Sequence, residues 1–173
     1  MPLYEVEHIA PLTRSQKDEL AAAITDIHSK KFTTPRLFVN IKFTDAWKQD
    51  TYVAGNARPN NRIRAQVRRG PTRMQDDFNA LAAELVAAWA RIVHPLHRDT
   101  SRPPLEPELE LRGVWITGEI ISSWETGFLV PPAGKDVEWA RENMAAFKKR
   151  AANGEQEFKD LVHELESRPE FQV

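Results

Sequence analysis

The start of the chain places Pro2 directly behind Met1. Proline is tolerated as the first residue of a strand, because its missing N–H costs least there. Alternatively, removal of Met1 ahead of a small residue would leave Pro2 as a secondary amine that can carry or accept a proton. An α-amine has an ordinary pKa of about 7.7–8.0. Burial near arginines would make such an amine a general base, and a nearby carboxylate would make it a general acid.

An arginine-rich segment is the second feature that could do chemistry. Residues 53–75 contain no Asp or Glu but include Arg58, Arg62, Arg64, Arg68, Arg69 and Arg73. Such a local field favours an anion, and a small carboxylate suits it as well as a phosphate. Arg62, Arg64 and Arg68 also fit the solvated face of a predicted strand. Arg73 lies in the predicted first turn of a helix, where a cation opposes the helix dipole.

Composition limits the classes of function. The 173 residues suffice for one domain, and 41% hydrophobic with 28% charged residues is usual for a soluble globular protein. A net charge of −1 argues against a nucleic-acid partner, and no apolar run approaches the roughly 20 residues of a membrane helix. There is no cysteine, hence no disulfide or thiolate site. No secretory signal is recognised, so the expected location is cytoplasmic.

Motifs for metals and cofactors are weak. His94-x-x-His97 has no flanking acid and no third ligand, so a metal site is not expected there. No P-loop, G-x-G-x-x-G or G-x-S-x-G motif occurs. With seven glycines in all, a nucleotide cradle is disfavoured. The sequence therefore predicts neither a cofactor nor a metal.

The elements that must position the candidate residues begin with a β-α-β unit. Residues 2–9 can form a strand, and Thr13 with Gln16 fits a capping box for a helix that runs to about Lys30. The segment RLFVNIKF then alternates as a second strand. A crossover helix of this length can join two parallel strands.

A second, similar unit follows, with Thr72 and Gln75 as its predicted capping box and VWIT at 114–117 as its closing strand. A shift of 59 residues places TRSQKDELAAA over TRMQDDFNALA and Asn61 under Pro2. We interpret this as a duplicated unit of which only the first copy has a free terminus.

The chain is therefore expected to form a single domain over residues 1–173. Residues 94–111 form a predicted surface loop, a short turn-like helix is expected near 120–124, and two helices near 136–152 and 155–166. The apolar stripe of the last helix must be covered by the sheet or by a neighbouring subunit; it consists of Phe158, Leu161, Val162 and Leu165. The expected parts are a first unit at 2–50, a turn or hairpin at 51–60, a second unit at 61–118, and C-terminal loop and helices at 119–173.

Four stretches resemble the tautomerase superfamily: Pro-x-Tyr at the start, LTRSQKDELAAAITDIH, VRRGPTR and SSWETGFLVPPAG. Within it the chain is most similar to the cis-3-chloroacrylic acid dehalogenase-like branch, in which two β-α-β units are fused. The resemblance covers most of residues 2–135. It implies an α/β (α+β) fold, with a mainly four-stranded mixed sheet, two long helices on one face and additional C-terminal helices. It also implies a homotrimer with its active site around the N-terminal proline.

The resemblance assigns substrate-binding roles. His28 matches a substrate-binding histidine at the end of the first helix. Arg73 matches one member of an arginine pair that holds a substrate carboxylate, and its partner is either Arg68 or Arg69.

The resemblance also makes Pro2 the catalytic proline and Glu125 the residue that positions or activates water. One position departs from the pattern, because Thr117 stands near the place of a tyrosine in the family's dehalogenase. Tyr4 and Tyr52 are the only tyrosines, and neither is an obvious substitute. This departure argues against dehalogenation more than against enol–keto chemistry.

Three functions follow as hypotheses. The first is a cofactor-independent tautomerase that acts on a small 2-oxo or unsaturated carboxylic acid through Pro2. The second is a hydratase or cis-3-haloacrylate-type dehalogenase in which Glu125 activates water. The third is a binding or signalling protein that retains the fold, in the manner of macrophage migration inhibitory factor. An RNA-binding strand is disfavoured, because no aromatic residues are interleaved with the arginines.

Overall fold

The computed structural model describes residues 1–93 and 107–172. Most of the predicted loop at 94–111, with His94 and His97, lies outside these residues. None of the helices in the described part is long and apolar enough to cross a membrane. In chain order the elements are β1 (Leu3–His8), α1 (Arg14–Phe32), β2 (Asn40–Asp45), β3 (Tyr52–Val53), β4 (Asn56–Ala57), β5 (Asn61–Gln66), α2 (Gln75–Ile92), β6 (Leu111–Thr117), β7 (Trp124–Glu125), β8 (Phe128–Leu129), α3 (Asp136–Ala152) and α4 (Gln156–Ser167).

The main sheet has the strand order β2-β1-β5-β6. β1 is parallel to β2 and β5 is parallel to β6, while β1 and β5 are antiparallel. Each parallel pair is joined by a long helix, as a crossover connection requires. The predicted fold of two β-α-β units in a mixed four-stranded sheet is confirmed.

One hydrophobic core fills the space between this sheet and the helices α1 and α2. Its fully buried members include Tyr4 and Val6 from β1, Ile63 from β5 and Trp89 from α2. Alternation along the strands and helical spacing along α1 and α2 bring these residues to one side. α1 begins as predicted, because the Gln16 amide donates to the Thr13 hydroxyl at 3.2 Å.

The start of α2 differs from the prediction, because Thr72 is not its N-cap. The helix begins at Gln75, and the Asp77 carboxylate accepts a hydrogen bond from the Met74 amide at 2.7 Å. β5 already ends at Gln66, and Gly70 and Pro71 lie in the link without starting the helix. The link from β5 to α2 therefore spans residues 67–74, whereas the equivalent link from β1 to α1 spans only residues 9–13. The longer link contains all three arginines of the predicted site, and Arg73 precedes the helix rather than occupying its first turn.

A second hydrophobic core lies between α3 and α4. Phe158, Leu161 and Leu165 are buried there together with Trp139 and Phe147 of α3. The apolar stripe of α4 is thus covered by α3, and the expectation that the sheet or a neighbouring subunit covers it is wrong. α3 can cover this stripe because it has an apolar face of its own.

The predicted turn-like helix near 120–124 is also wrong. β7 and β8 pair as a short hairpin, with Trp124 opposite Leu129 and Glu125 opposite Phe128. Thr126 and Gly127 form its turn with φ values of 49° and 94°. Two successive residues with positive φ are typical of a tight hairpin turn.

Asn61 ties the two units together. Its side-chain oxygen accepts hydrogen bonds from the amides of Ile9 at 2.8 Å and Ala10 at 3.0 Å. Its side-chain nitrogen donates to the carbonyls of Glu108 at 2.7 Å and Glu110 at 2.9 Å. The fully buried Asn61 therefore satisfies four backbone groups where strands of both units begin or end.

Candidate active site

The N-terminal amine lies beside a carboxylate and a hydroxyl. The Met1 amine is 3.3 Å from Glu125 Oε1 and donates to Ser123 Oγ at 3.0 Å. Asn40 Nδ2 holds the other carboxylate oxygen of Glu125 at 3.0 Å, and the Asn40 amide donates to the Pro2 carbonyl at 3.1 Å. Pairing of β1 with β2 and the β7–β8 hairpin thus bring the chain start and Glu125 together. The Pro2 nitrogen itself is part of the Met1–Pro2 peptide bond.

A buried carboxylate joins the two arginines of the long link. Arg68 Nη2 donates to Asp136 Oδ1 at 2.5 Å, and Arg73 Nη2 lies 3.7 Å from Asp136 Oδ2. All three side chains are almost completely inaccessible to solvent. Arg73 Nη1 also donates to the Arg68 carbonyl at 3.0 Å. Arg73 Nη2 and Asp136 Oδ2 have no hydrogen-bond partner among the described residues.

Backbone groups of the segment before α3 complete the environment of Arg68. Its Nη1 donates to the carbonyls of Pro131 and Pro132. The segment approaches the long link closely, since a Cβ on Gly134 would lie 2.8 Å from the hydroxyl oxygen of Thr72. Gly134 also has a φ of 85°, which favours glycine. The Arg68 guanidinium is therefore held by Asp136 through Nη2 and by these backbone carbonyls through Nη1.

His28 lies under this cluster on α1. Its Nδ1 is 2.7 Å from the Tyr4 hydroxyl, and its ring packs against Phe32 with centroids 4.9 Å apart. Its Nε2 is buried without a hydrogen-bond partner among the described residues. Arg73 also packs on Phe32, with its guanidinium carbon 4.3 Å from the centroid of the Phe32 ring.

The electrostatics of the cluster favour neutral bases. Burial, with the charges of Arg73, Arg68 and the terminal amine, holds the pKa of His28 well below its usual range. Burial also lowers the pKa of the Met1 amine, and Arg68 adds to this lowering while Glu125 opposes it. Burial next to Arg68 lowers the pKa of Arg73 to about 10. Burial raises the pKa of Tyr4, so its hydroxyl keeps its proton.

The two candidates for the second arginine lie in different surroundings. Arg68 is buried beside Asp136, whereas its neighbour Arg69 is exposed. Arg69 lines an open groove of about 900 Å³, and Arg73 and Phe78 line the same groove. Glu125 contacts the terminal amine next to Pro2, Arg68 and Arg73 share Asp136, and His28 and Arg73 both pack on Phe32. Thr117 lies at the end of β6, where its carbonyl accepts a hydrogen bond from the Val67 amide at 2.8 Å.

Three residues of the site were missed in the sequence. Asp136 is the first residue of α3. Acidic residues are common there because they interact favourably with the helix dipole, so the sequence gives no signal that Asp136 pairs with arginines. Tyr4 was not an obvious substitute for the family's tyrosine, yet it contacts His28. Ser123 is one of two adjacent serines without a distinguishing motif. Across residues 1–93 and 107–172, no group of three His, Asp or Glu side chains could hold a metal ion.

Comparison with known proteins identifies the family. The family described as "Putative oxalocrotonate tautomerase enzyme" matches residues 1–144, and the chain belongs to this family. The predicted membership of the tautomerase superfamily is thereby confirmed. No curated protein matches the chain at the level of sequence.

Solved structures share the fold. N1, a member of the cis-3-chloroacrylic acid dehalogenase family, is 24% identical, with 92% of this chain and 99% of that chain covered and a TM-score of 0.62. RhCC from Rhodococcus jostii RHA1 is 22% identical, with coverages of 82% and 96% and a TM-score of 0.54. MIF2 of Leishmania major is 16% identical, with coverages of 75% and 97% and a TM-score of 0.51.

We expect Asp136→Asn to lower the free energy of unfolding by at least about 3 kcal/mol, because it leaves two buried guanidinium groups without a counter-charge. Urea unfolding monitored by circular dichroism measures this change. Asp76→Asn is the matched control, since Asp76 lies in the first turn of α2 but is exposed. It should change stability by no more than about 0.5 kcal/mol. Equal losses in both variants would contradict a special role of the Asp136–arginine cluster.

The lowered pKa of His28 predicts a pH dependence of stability. The unfolded chain protonates this imidazole near its ordinary pKa of about 6.5, before the folded protein does. The stabilisation is therefore complete above about pH 6.5 and is lost as the pH falls towards the lowered folded value. We expect the free energy of unfolding to fall less between about pH 7.5 and pH 5 in His28→Gln than in the natural protein. His163→Gln, at an exposed position of α4, should keep the natural slope; the same slope in all three proteins would refute the prediction.

Proposed function

We propose that the protein is a cofactor-independent tautomerase that moves a proton on a small 2-oxo or unsaturated carboxylic acid. One observation carries this proposal: the chain start is buried between Glu125 and the Arg68–Asp136–Arg73 cluster. A secondary amine generated there by removal of Met1 would meet the same surroundings that lower the pKa of the Met1 amine. Family membership supports this class of chemistry.

In this proposal Pro2 is the general base. Its nitrogen takes a proton from the carbon next to the substrate's carbonyl and returns it at a second position. The proline ring fixes the direction of the nitrogen lone pair. A neutral amine at neutral pH is the form that this role requires, and burial favours that form.

Arg73 is the proposed anchor of the substrate carboxylate. Arg68 is engaged by Asp136 and two backbone carbonyls, whereas Arg73 Nη2 is buried without a hydrogen bond to any described residue. A guanidinium group there can bind a carboxylate and stabilise the charge that develops on an enolate. When Tyr4 donates to Nδ1, the neutral His28 carries its proton on Nε2 and can donate to the substrate.

We further propose that residues 1–173 act as one domain in a cytoplasmic homotrimer that takes neither metal nor cofactor. The lack of cysteine suits a reducing compartment. Trp47, Tyr52 and Trp115 are exposed around one hollow of the surface, where a neighbouring subunit could cover them.

The first test is the ketonisation of phenylenolpyruvate by protein whose intact mass shows that Met1 is absent. We expect Pro2→Ala to lower kcat/KM at least about 100-fold, since general base catalysis contributes that much or more. The pH–rate profile of the natural protein should rise with an ionisation below the ordinary range of an α-amine, because burial disfavours the cation.

The matched control is the natural sequence with Met1 retained behind an uncleaved N-terminal tag. It keeps Pro2 but turns its nitrogen into an amide, so it should be as inactive as Pro2→Ala. Equal, near-background rates in the processed and the tagged protein would overturn the tautomerase proposal for this class of substrate and favour a binding or signalling role.

A hydratase or haloacrylate dehalogenase is the second candidate. It is favoured by the position of the Glu125 carboxylate, which is held by Asn40 and lies within 3.3 Å of the chain terminus. Water between Glu125 and the substrate could add to an unsaturated acid, with Pro2 as the proton donor. Thr117 in place of the tyrosine of the family's dehalogenase argues against this candidate.

Glu125→Gln distinguishes the two reactions. If Glu125 activates water, the variant should lower halide release from cis-3-chloroacrylate at least about 100-fold and leave ketonisation within about fivefold. Glu119→Gln, an exposed neighbour in the chain, should change neither rate. Halide release that is absent from the natural protein would remove this candidate, and ion chromatography measures it.

A further inference from the structure

The side chain of Met1 is one of the most deeply buried in the protein, with 2% of its surface exposed. It belongs to the second hydrophobic core together with Phe38, Val130 and Trp139. Phe38 precedes the start of β2, where Asn40 pairs with the chain start, and its ring packs edge-on against Trp139 with centroids 5.2 Å apart. A residue that the proposed mechanism must remove thus fills part of a core.

Removal of Met1 would vacate two kinds of space. Its main chain lies among polar groups, between Glu125, Ser123 and the Pro2 nitrogen. Its side chain lies among apolar residues of the second core. Loss of a buried methionine costs stability in proportion to the cavity that remains. Cavities lined only by apolar side chains stay dry and bind apolar molecules.

We infer that the processed protein selects 2-oxo acids that carry an unbranched apolar tail of about four heavy atoms beyond C3, the size of a methionine side chain. The tail occupies the Met1 pocket, the volume in the second hydrophobic core that the Met1 side chain fills. This inference rests on the proposed tautomerase activity. It names a substrate class that the polar residues around Pro2 do not specify.

The shape and polarity of the pocket set what it rejects. Methionine is unbranched, so a tail with a branch near C3 has more width than the side chain that it replaces. The second core consists of apolar residues, so a carboxylate at the far end of the tail would be desolvated without a partner. A 2-oxo dicarboxylic acid should therefore bind worse than the monocarboxylic acid of equal length.

The reaction balances without a further reactant. The C3–H bond breaks, its proton moves to the Pro2 nitrogen, and the electron pair forms the C2=C3 bond with the negative charge on the carbonyl oxygen. In D₂O the ammonium proton exchanges with solvent. A deuteron then returns to C3 and the C2 carbonyl is restored. Loss of the C3 proton signal in NMR spectra therefore measures each turnover.

The substrates form a series with increasing tail length: pyruvate, 2-oxobutanoate, 2-oxopentanoate, 2-oxohexanoate, 2-oxoheptanoate and 2-oxononanoate. We expect kcat/KM for exchange by the processed protein to rise about fourfold for each methylene up to 2-oxoheptanoate, and then to level off or fall. Both 2-oxoadipate and 4-methyl-2-oxopentanoate, which have the carbon count of 2-oxohexanoate, should be at least about tenfold poorer than it.

Two variants locate the pocket. Phe38→Leu should move the optimum towards a longer or wider tail, because Phe38 belongs to the same core as Met1 and lies two residues before Asn40, which pairs with Leu3. Phe158→Leu is the matched control, because Phe158 is an equally buried ring of the same core whose contacts reach Phe38 through Trp139 and either Phe147 or Phe128. It should leave the optimum unchanged, and thermal melts followed by circular dichroism show that both variants are folded.

A binding measurement separates the pocket from the chemistry. Heptanoate has no carbonyl at C2 and cannot react. Measured by calorimetry, it should bind the processed protein more tightly than acetate does, and it should not bind the Met1-retaining protein.

Pro2-dependent exchange that is equally fast for pyruvate and 2-oxoheptanoate would overturn the inference and leave the proposed function intact. Length-dependent binding without any exchange would overturn the proposed function and leave the pocket. Absence of both would overturn both.

Discussion

The burial of two guanidinium groups beside the chain start is the constraint on which the rest of the structure depends. Moving a single unpaired cation out of water is prohibitively costly, and arginine does not lose its proton to avoid that cost. Asp136 supplies a negative charge that offsets the cost of burying Arg68 and Arg73. Because Asp136 opens α3, the C-terminal helices are part of the candidate site rather than an addition to a complete domain.

Burial and charge act together on the bases around the chain start. When the terminal amine is neutral, the two arginines face the two carboxylates of Asp136 and Glu125. Burial is the main reason why the imidazole of His28 and the amine both have lowered pKa values. Arg68 adds to the lowering at both groups, whereas Glu125 opposes it at the amine.

The sequence predicts the parts of the fold that local patterns encode. Thr13 and Gln16 define the start of α1 because the capping box is a contact between residues close in the chain. The predicted start of α2 was wrong because Gly70 and Pro71 indicate that a strand is over but do not indicate the length of the link that follows. The choice between Arg68 and Arg69 was equally open, since both follow the last residue of β5 and strand alternation stops there.

Contacts between distant segments are the part that the sequence does not encode locally. Asp136 is an ordinary first-turn acid until the fold brings it to Arg68, 68 residues earlier. The apolar stripe of α4 is a similar case. Its spacing shows that another element must cover it, but does not show that this element is α3. Tyr4 shows the reverse case: its proximity to His28 follows from packing of β1 on α1 inside the predicted core.

Asn61 gives the duplication an unequal outcome. In the first unit, Pro2 occupies the matching position in the repeat, and its side chain offers no donor or acceptor. In the second unit, Asn61 binds backbone groups of both units through four hydrogen bonds. The repeat therefore preserves the topology of the unit but not the task of its first residue. Where the first unit places the chain start, the second places a residue that joins the two halves of the sheet.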